Sequence, residues 1–145
     1  MAKTGNADTV AMLSPGVGCG AAVLKQGRLL LIQRRREPEA GCWGLPGGKV
    51  DLFETSEQAI AREVAEELGI LISDLSLLKT VEQIDRDGGW HWVSPVYLAG
   101  AYAGEPELRE PEKHGGFAWF GLDDLPDNLT YPTRDALPLL AVWMA

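Results

Sequence analysis

Gly48-Lys-Val-Asp-Leu-Phe-Glu54-Thr-Ser-Glu-Gln-Ala-Ile-Ala-Arg62-Glu63-Val-Ala-Glu66-Glu67-Leu-Gly69-Ile70 is the stretch whose reading decides the fold. Thr55 followed by Gln58 is a helix-start signature, because each side chain can satisfy an orphan backbone N–H of the other. Gly69 is a natural stop, since glycine takes the left-handed conformation without a Cβ clash. The interval predicts a helix of roughly three to four turns. At about 100° per residue, Ile60, Ala61, Val64, Ala65 and Leu68 share the arc expected to face a core. Glu63, Glu66 and Glu67 stand three and four residues apart and share another arc, with Arg62 at its edge.

That acidic arc works against helix stability. Like charges at these spacings repel, and Glu66 and Glu67 fall in the last turn, where the helix dipole disfavours anions. A solvated acidic face is one reading. The other is a carboxylate cluster built to hold a divalent cation such as Mg²⁺. The turn Leu45-Pro46-Gly47-Gly48, feeding the same element, favours the second.

The run resembles the Nudix box, G-x5-E-x7-R-E-U-x-E-E-x-G-U with U aliphatic. It matches at every specified position: Gly48, Glu54, Arg62, Glu63, Val64, Glu66, Glu67, Gly69 and Ile70. The lead-in Trp43-Gly-Leu-Pro-Gly-Gly is also similar to the family's. The resemblance implies the Nudix fold, a mixed β-sheet sandwiched between helices (an α/β/α sandwich). It implies a hydrolase that cleaves a phosphoanhydride in a nucleoside diphosphate linked to another group, using Mg²⁺ or Mn²⁺. Glu66, Glu67 and the Gly47 carbonyl would then hold metal. Glu63 would ligate metal or act as general base. Arg62 would orient the carboxylates, with Glu54 as its partner; a purely structural ion pair is the alternative for those two. Many members add a metal-binding acid outside the box, on a late strand before a tryptophan. Ala118 stands at the matching place here, so Glu112, or failing that Glu110, is the candidate from the preceding loop.

The rest of the chain fits one domain. It has 145 residues, 46% hydrophobic, with a formal net charge of −8. An acidic chain lacks the basic surface that gives nucleic-acid polymers most of their affinity, so a small phosphorylated molecule is the expected partner. Cys19 and Cys42 carry no zinc-ligand spacing and fit a reducing compartment. Residues 1–14 read as a flexible leader, neither signal peptide nor membrane span, ahead of a domain over 15–145. The expectation is a cytoplasmic protein without membrane partners, with a homodimer as one option.

Gly16 to Leu24 reads as a glycine-rich strand, Lys25–Arg28 as a turn, and Leu29–Gln33 as a strand apolar on both faces and therefore buried. Leu75–Ile84 and Trp90–Ala99 are further strands, with Pro95 arguing for an edge or a bulge. Phe117–Phe120 is a short aromatic strand, and Leu122–Pro126 a helical turn. Thr133–Trp143 is a C-terminal helix interrupted near Pro138.

Arg34, ending the second strand, is the basic residue placed by the resemblance against substrate phosphates. Trp90, Trp92 and Tyr131 are candidates to stack on a base, beside Phe117 and Trp119, although core packing accounts for such aromatics equally well. Alternation puts Trp90 and Trp92 on one sheet face and His91 on the other. His91 is a further stacking candidate, and no catalytic role is read for His91 or His114, a lone histidine being more often structural. The chain is also similar to nucleoside triphosphate pyrophosphohydrolases of the MutT group, so NTP or dNTP hydrolysis to monophosphate and pyrophosphate is the first expectation. ADP-ribose or another nucleoside-diphosphate sugar is the second. A non-catalytic nucleotide-sensing module is the third, and the intact box speaks against it.

Overall fold

The computed structural model describes residues 12–144. Of the leader expected over 1–14, residues 1–11 lie outside the described residues, as does Ala145 at the end of the expected domain. Seven strands and two helices follow in the order β1 (Gly16–Lys25), β2 (Arg28–Arg34), β3 (Trp43–Gly44), β4 (Gly47–Lys49), α1 (Ser56–Leu68), β5 (Leu71–Asp85), β6 (Trp90–Ala103), β7 (His114–Gly121) and α2 (Tyr131–Met144).

The sheet is mixed. β1 lies parallel to β6 and antiparallel to both β2 and β4, while β6 pairs antiparallel with β5, and β2 with β3 and β7. Successive residues of β1 and β2 point to opposite sides, and both sides are buried. Cys19, Ala21, Val23, Leu30 and Ile32 pack with Ala59, Ile60, Val64 and Leu68 of α1. Ala22, Leu29 and Leu31 pack with Ala136 and Leu140 of α2. Helix, sheet, helix is therefore the layering, the expected α/β/α sandwich.

The boundaries of α1 follow the expected chemistry. Thr55 accepts from the Gln58 N–H and Gln58 accepts from the Thr55 N–H, a complete capping box. Gly69 takes φ 71° at the C-cap. The buried arc is Ala59, Ile60, Val64, Glu67 and Leu68. Ala61 and Ala65, expected inside, are only partly buried, and a glutamate has taken a place among the core residues.

Four expectations change. β5 begins at Leu71 rather than Leu75 and β6 runs on to Ala103, because the two form one long antiparallel ladder with a register shift between Leu77 and Lys79. Pro95 sits in a central strand, not at an edge. It is tolerated because the β1 ladder is interrupted there, pairing Val17 with Val93 and resuming only at Gly20 with Val96. Leu122–Pro126 is a non-helical turn. Helix α2 starts at Tyr131 and continues through Pro138. Pro138 leaves the Arg134 carbonyl without its helical donor, and both residues are exposed, so water can satisfy that oxygen.

Candidate active site

β4 is pinned on β1 by pairs Gly18–Lys49, Cys19–Gly48 and Gly20–Gly47, which brings the Gly47-Gly48 backbone over the C-terminal half of α1. The approach is too close for a side chain. A Cβ on Gly48 would land on the Glu63 carboxylate, and one on Gly47 would meet the Cys19 carbonyl. Gly48 is thus required by packing against the acidic helix, and Gly47 by the close approach of the β1 backbone.

The three box glutamates experience different surroundings. Side-chain exposure is 47% for Glu66, 20% for Glu63 and 8% for Glu67. Burial pushes the Glu63 and Glu67 carboxyls above the usual carboxylate range, because desolvation penalises the charged form. Glu67 has donors on both oxygens: Gly47 N–H gives to Oε1 at 2.9 Å, and His114 Nε2 lies 3.3 Å from Oε2.

Arg62, expected at the edge of the acidic face, is its centre. Nε and Nη2 bind Glu54 in a fork at 2.7 and 3.0 Å, while Nη1 reaches Glu63 Oε1 at 2.6 Å and Glu66 Oε1 at 2.7 Å. Nη2 also donates to the Lys49 carbonyl at 3.0 Å. The planar fork fixes several carboxylates at once, which a lysine could not do. The same fork, helped by the Asp51 N–H, pulls the Glu54 carboxyl down to about 2.

Among the described residues, Glu67, Glu110 and His114 each place a ligand atom within 4.8 Å of the others. Glu112, the acid chosen from the sequence, is exposed and outside this group. The reason is local: the Glu110 carbonyl accepts from both Lys113 and His114 N–H, and this turn delivers Glu110 and His114 to Glu67. Glu66 bonds Arg62 at the exposed rim, and Glu63 lies against Gly48. The donors at this end are mainly hard carboxylate oxygens, which fits Mg²⁺ or Mn²⁺.

A cleft of about 280 Å³ runs from this cluster. Gly47, Gly48, Lys49, Glu67, His114 and Arg34 line it together with Gln83, Trp90, Trp92 and Ser94. Alternation along β6 holds, with Trp90, Trp92 and Ser94 on the cleft side. Arg34 is there, although its Nε is spent on the Pro38 carbonyl at 2.8 Å. Tyr131 does not line the cleft; its N–H is held by Glu39 and its ring faces Arg134. Phe117 and Trp119 pack against the α1-side core. Lys49, Gln83 and His114 were not singled out for this cleft from the sequence. Only Lys49 carried a signal, as a cation directly after the glycine pair. Cys19 and Cys42 are free, and burial pushes the Cys19 thiol up to about 11.

The model of the NUDIX domain matches residues 12–140. The chain belongs to the Nudix family. A crystal structure of a MutT NUDIX hydrolase from Burkholderia pseudomallei is 57% identical and superposes with a TM-score of 0.86, covering 88% of this chain and 98% of that one. An ADP-ribose pyrophosphatase of Methanocaldococcus jannaschii is 37% identical over 114 residues, 79% of this chain and 66% of the relative. A Mycobacterium tuberculosis protein provisionally named 8-oxo-dGTP diphosphatase 2 is 38% identical over 118 residues, 80% and 79% of the two. The chain is accordingly a Nudix hydrolase. No helix among the described residues is long and apolar enough to cross a membrane.

Proposed function

We propose that this Nudix hydrolase cleaves a nucleoside triphosphate, NTP or dNTP, to monophosphate and pyrophosphate in the cytoplasm with Mg²⁺. The observation that supports this reading is the continuity of one cleft from Glu67 and the glycine pair to Trp90 and Trp92. Such a cleft suits a molecule with phosphates at one end and a flat base at the other. ADP-ribose is the second reading, favoured by the activity in the name of the M. jannaschii relative.

Glu67, Glu63 and Glu110 would hold the cation, with Glu66 and the Gly47 carbonyl at its margin. A divalent ion there supplies neutralisation of phosphate charge and acidification of a bound water. The chain's own contribution is orientation. Arg62 fixes Glu63 through Oε1 and leaves Oε2 for the ion or for a proton from the attacking water. Arg34 and Lys49 reverse the local field for the phosphates, and the two indoles give the base a face.

A substrate panel tests the reading: canonical and oxidised NTPs and dNTPs beside ADP-ribose and dinucleoside polyphosphates, with products separated by chromatography. Release of pyrophosphate and monophosphate from a triphosphate is the expected result. Turnover of ADP-ribose alone would replace the first reading with the second.

Arg34→Ala is expected to raise KM by roughly 10- to 100-fold, the equivalent of a charged hydrogen bond, with a smaller change in kcat. If melting temperature alone changes, Arg34 serves only to hold the Pro38 loop.

The raised carboxyls give a pH signature. In the metal-free protein, folding favours the protonated forms of Glu63 and Glu67. Their contribution to stability is full below the unfolded value of 4.5 and is lost as pH rises through the raised folded values. A cation reverses that loss by binding the ionised forms. The rise in Tm on adding Mg²⁺ should therefore be larger at pH 8 than at pH 5; equal rises would show that the two carboxylates do not meet the ion.

A further inference from the structure

His114 is a buried titratable side chain, 6% exposed, at the head of β7. Its Nε2 lies 3.3 Å from Glu67 Oε2 in a contact nearly closed to solvent on both sides. Its Nδ1 is buried and has no hydrogen-bond partner. A histidine kept for packing is normally satisfied at both nitrogens. This one is satisfied only where it touches the carboxylate.

The ring could serve the cation in two ways. As a direct ligand through Nε2, it would have to carry its proton on Nδ1. That N–H would be buried with nothing to accept it, at a cost of about 1–3 kcal/mol. As a donor, it carries the proton on Nε2, where Glu67 Oε2 accepts it, and Nδ1 is left as a bare lone pair. The second arrangement leaves no buried donor stranded. It also fixes the carboxylate at both ends, Oε1 by the Gly47 N–H and Oε2 by His114, where Glu67 lines the cleft.

We propose that His114 is a positioning residue, donating Nε2–H to Glu67 so that this carboxylate is held in orientation for the divalent cation, the imidazole itself not ligating the ion. The other groups around Glu67 sharpen the need. Glu110 brings a second negative charge to the same corner, and its one salt bridge among the described residues is to Lys113 at 3.3 Å. Without the imidazole, Glu67 would face Glu110 with one donor instead of two. The inference rests on the reading that Glu67 holds the ion.

The test is Mn²⁺ binding to the full chain, followed by calorimetry and by the electron paramagnetic resonance of the bound ion. Loss of a partner of this kind typically weakens metal binding by about 10- to 100-fold, and this is expected for His114→Ala. His114→Leu, which also removes the donor but fills the space, should behave alike and serves if the alanine variant does not fold. His114→Gln, whose side-chain N–H₂ can reach the same oxygen, should recover most of the affinity. The wild-type spectrum should show no coupling to an imidazole nitrogen. Unchanged affinity in the donor-less variants, a Gln variant no better than Leu, or nitrogen coupling to the ion would each overturn the proposal. Glu67→Gln in the same titration separates the two levels. If it binds Mn²⁺ as tightly as wild type, the reading of Glu67 fails; if it binds weakly while the His114 variants do not, only the role of His114 fails.

Discussion

Glu67→Gln is expected to lower kcat by on the order of 10³-fold, the equivalent of about 4 kcal/mol of lost transition-state stabilisation, and to leave the metal-free protein folded with little net change in stability. Both follow from where Glu67 sits. Glu67 is a carboxylate in a largely desolvated place, and its raised pKa records that folding alone disfavours its charge. A neutral amide of the same shape removes that penalty, and its oxygen can still accept from the Gly47 N–H, while its N–H₂ meets His114 Nε2 and strands one buried donor at a cost of about 1–3 kcal/mol that offsets the gain. What it cannot supply is the negative charge for a divalent ion. Urea denaturation without metal and steady-state kinetics in Mg²⁺ measure the two sides. A variant that is both active and unaltered in metal dependence would take Glu67 out of the site. A variant that is inactive because it is unfolded would show the carboxylate to be structural.

Gly48→Ala should be nearly as damaging by a different route. Its Cβ would occupy the space of the Glu63 carboxylate, and Glu63 is clamped by Arg62 at 2.6 Å. Either Glu63 swings away or β4 lifts from β1. A displacement of about 1 Å at a reacting group costs about 10²-fold, so kcat/KM is expected to fall at least that far. Overpacking adds about 1–3 kcal/mol of destabilisation. A variant with wild-type kcat/KM would mean that neither Glu63 nor the glycine turn contributes to catalysis.

Much of this was readable from local chemistry. Thr55, Gln58 and Gly69 delimit α1 because capping depends on residues adjacent in sequence. The burial of Leu29 to Ile32 on both faces followed from their uninterrupted apolarity, and implied layers on either side of the sheet.

Where the structure departs from these expectations, some of the causes are contacts distant in sequence and others are local turns. Glu67 shares a helical arc with Glu63, yet only the arrival of β4 and β7 buries it. Glu110 rather than Glu112 approaches it because of the turn that Lys113 and His114 make back onto the Glu110 carbonyl. Proline rules gave Pro95 an edge or a bulge and Pro138 a break; Pro95 lies in a central strand at a gap in the β1–β6 ladder, beside the β5 register shift, and a solvent-facing carbonyl accommodates Pro138. Tyr131 had the right chemistry to stack on a base, but the Glu39 carboxylate caps its backbone and its ring turns to Arg134. Nothing local in Lys113-His114-Gly115 marks the histidine as a partner of a residue 47 positions earlier, and such a pairing emerges only when β7 is laid along β2.

Crystals grown with Mn²⁺ and a non-hydrolysable nucleoside triphosphate, measured at the manganese absorption edge, test the central claim most directly. The account predicts an anomalous peak bonded to Glu67 and to phosphate oxygens, with the base against Trp90 and Trp92. A nucleotide bound in the cleft with no metal at Glu67 would contradict it.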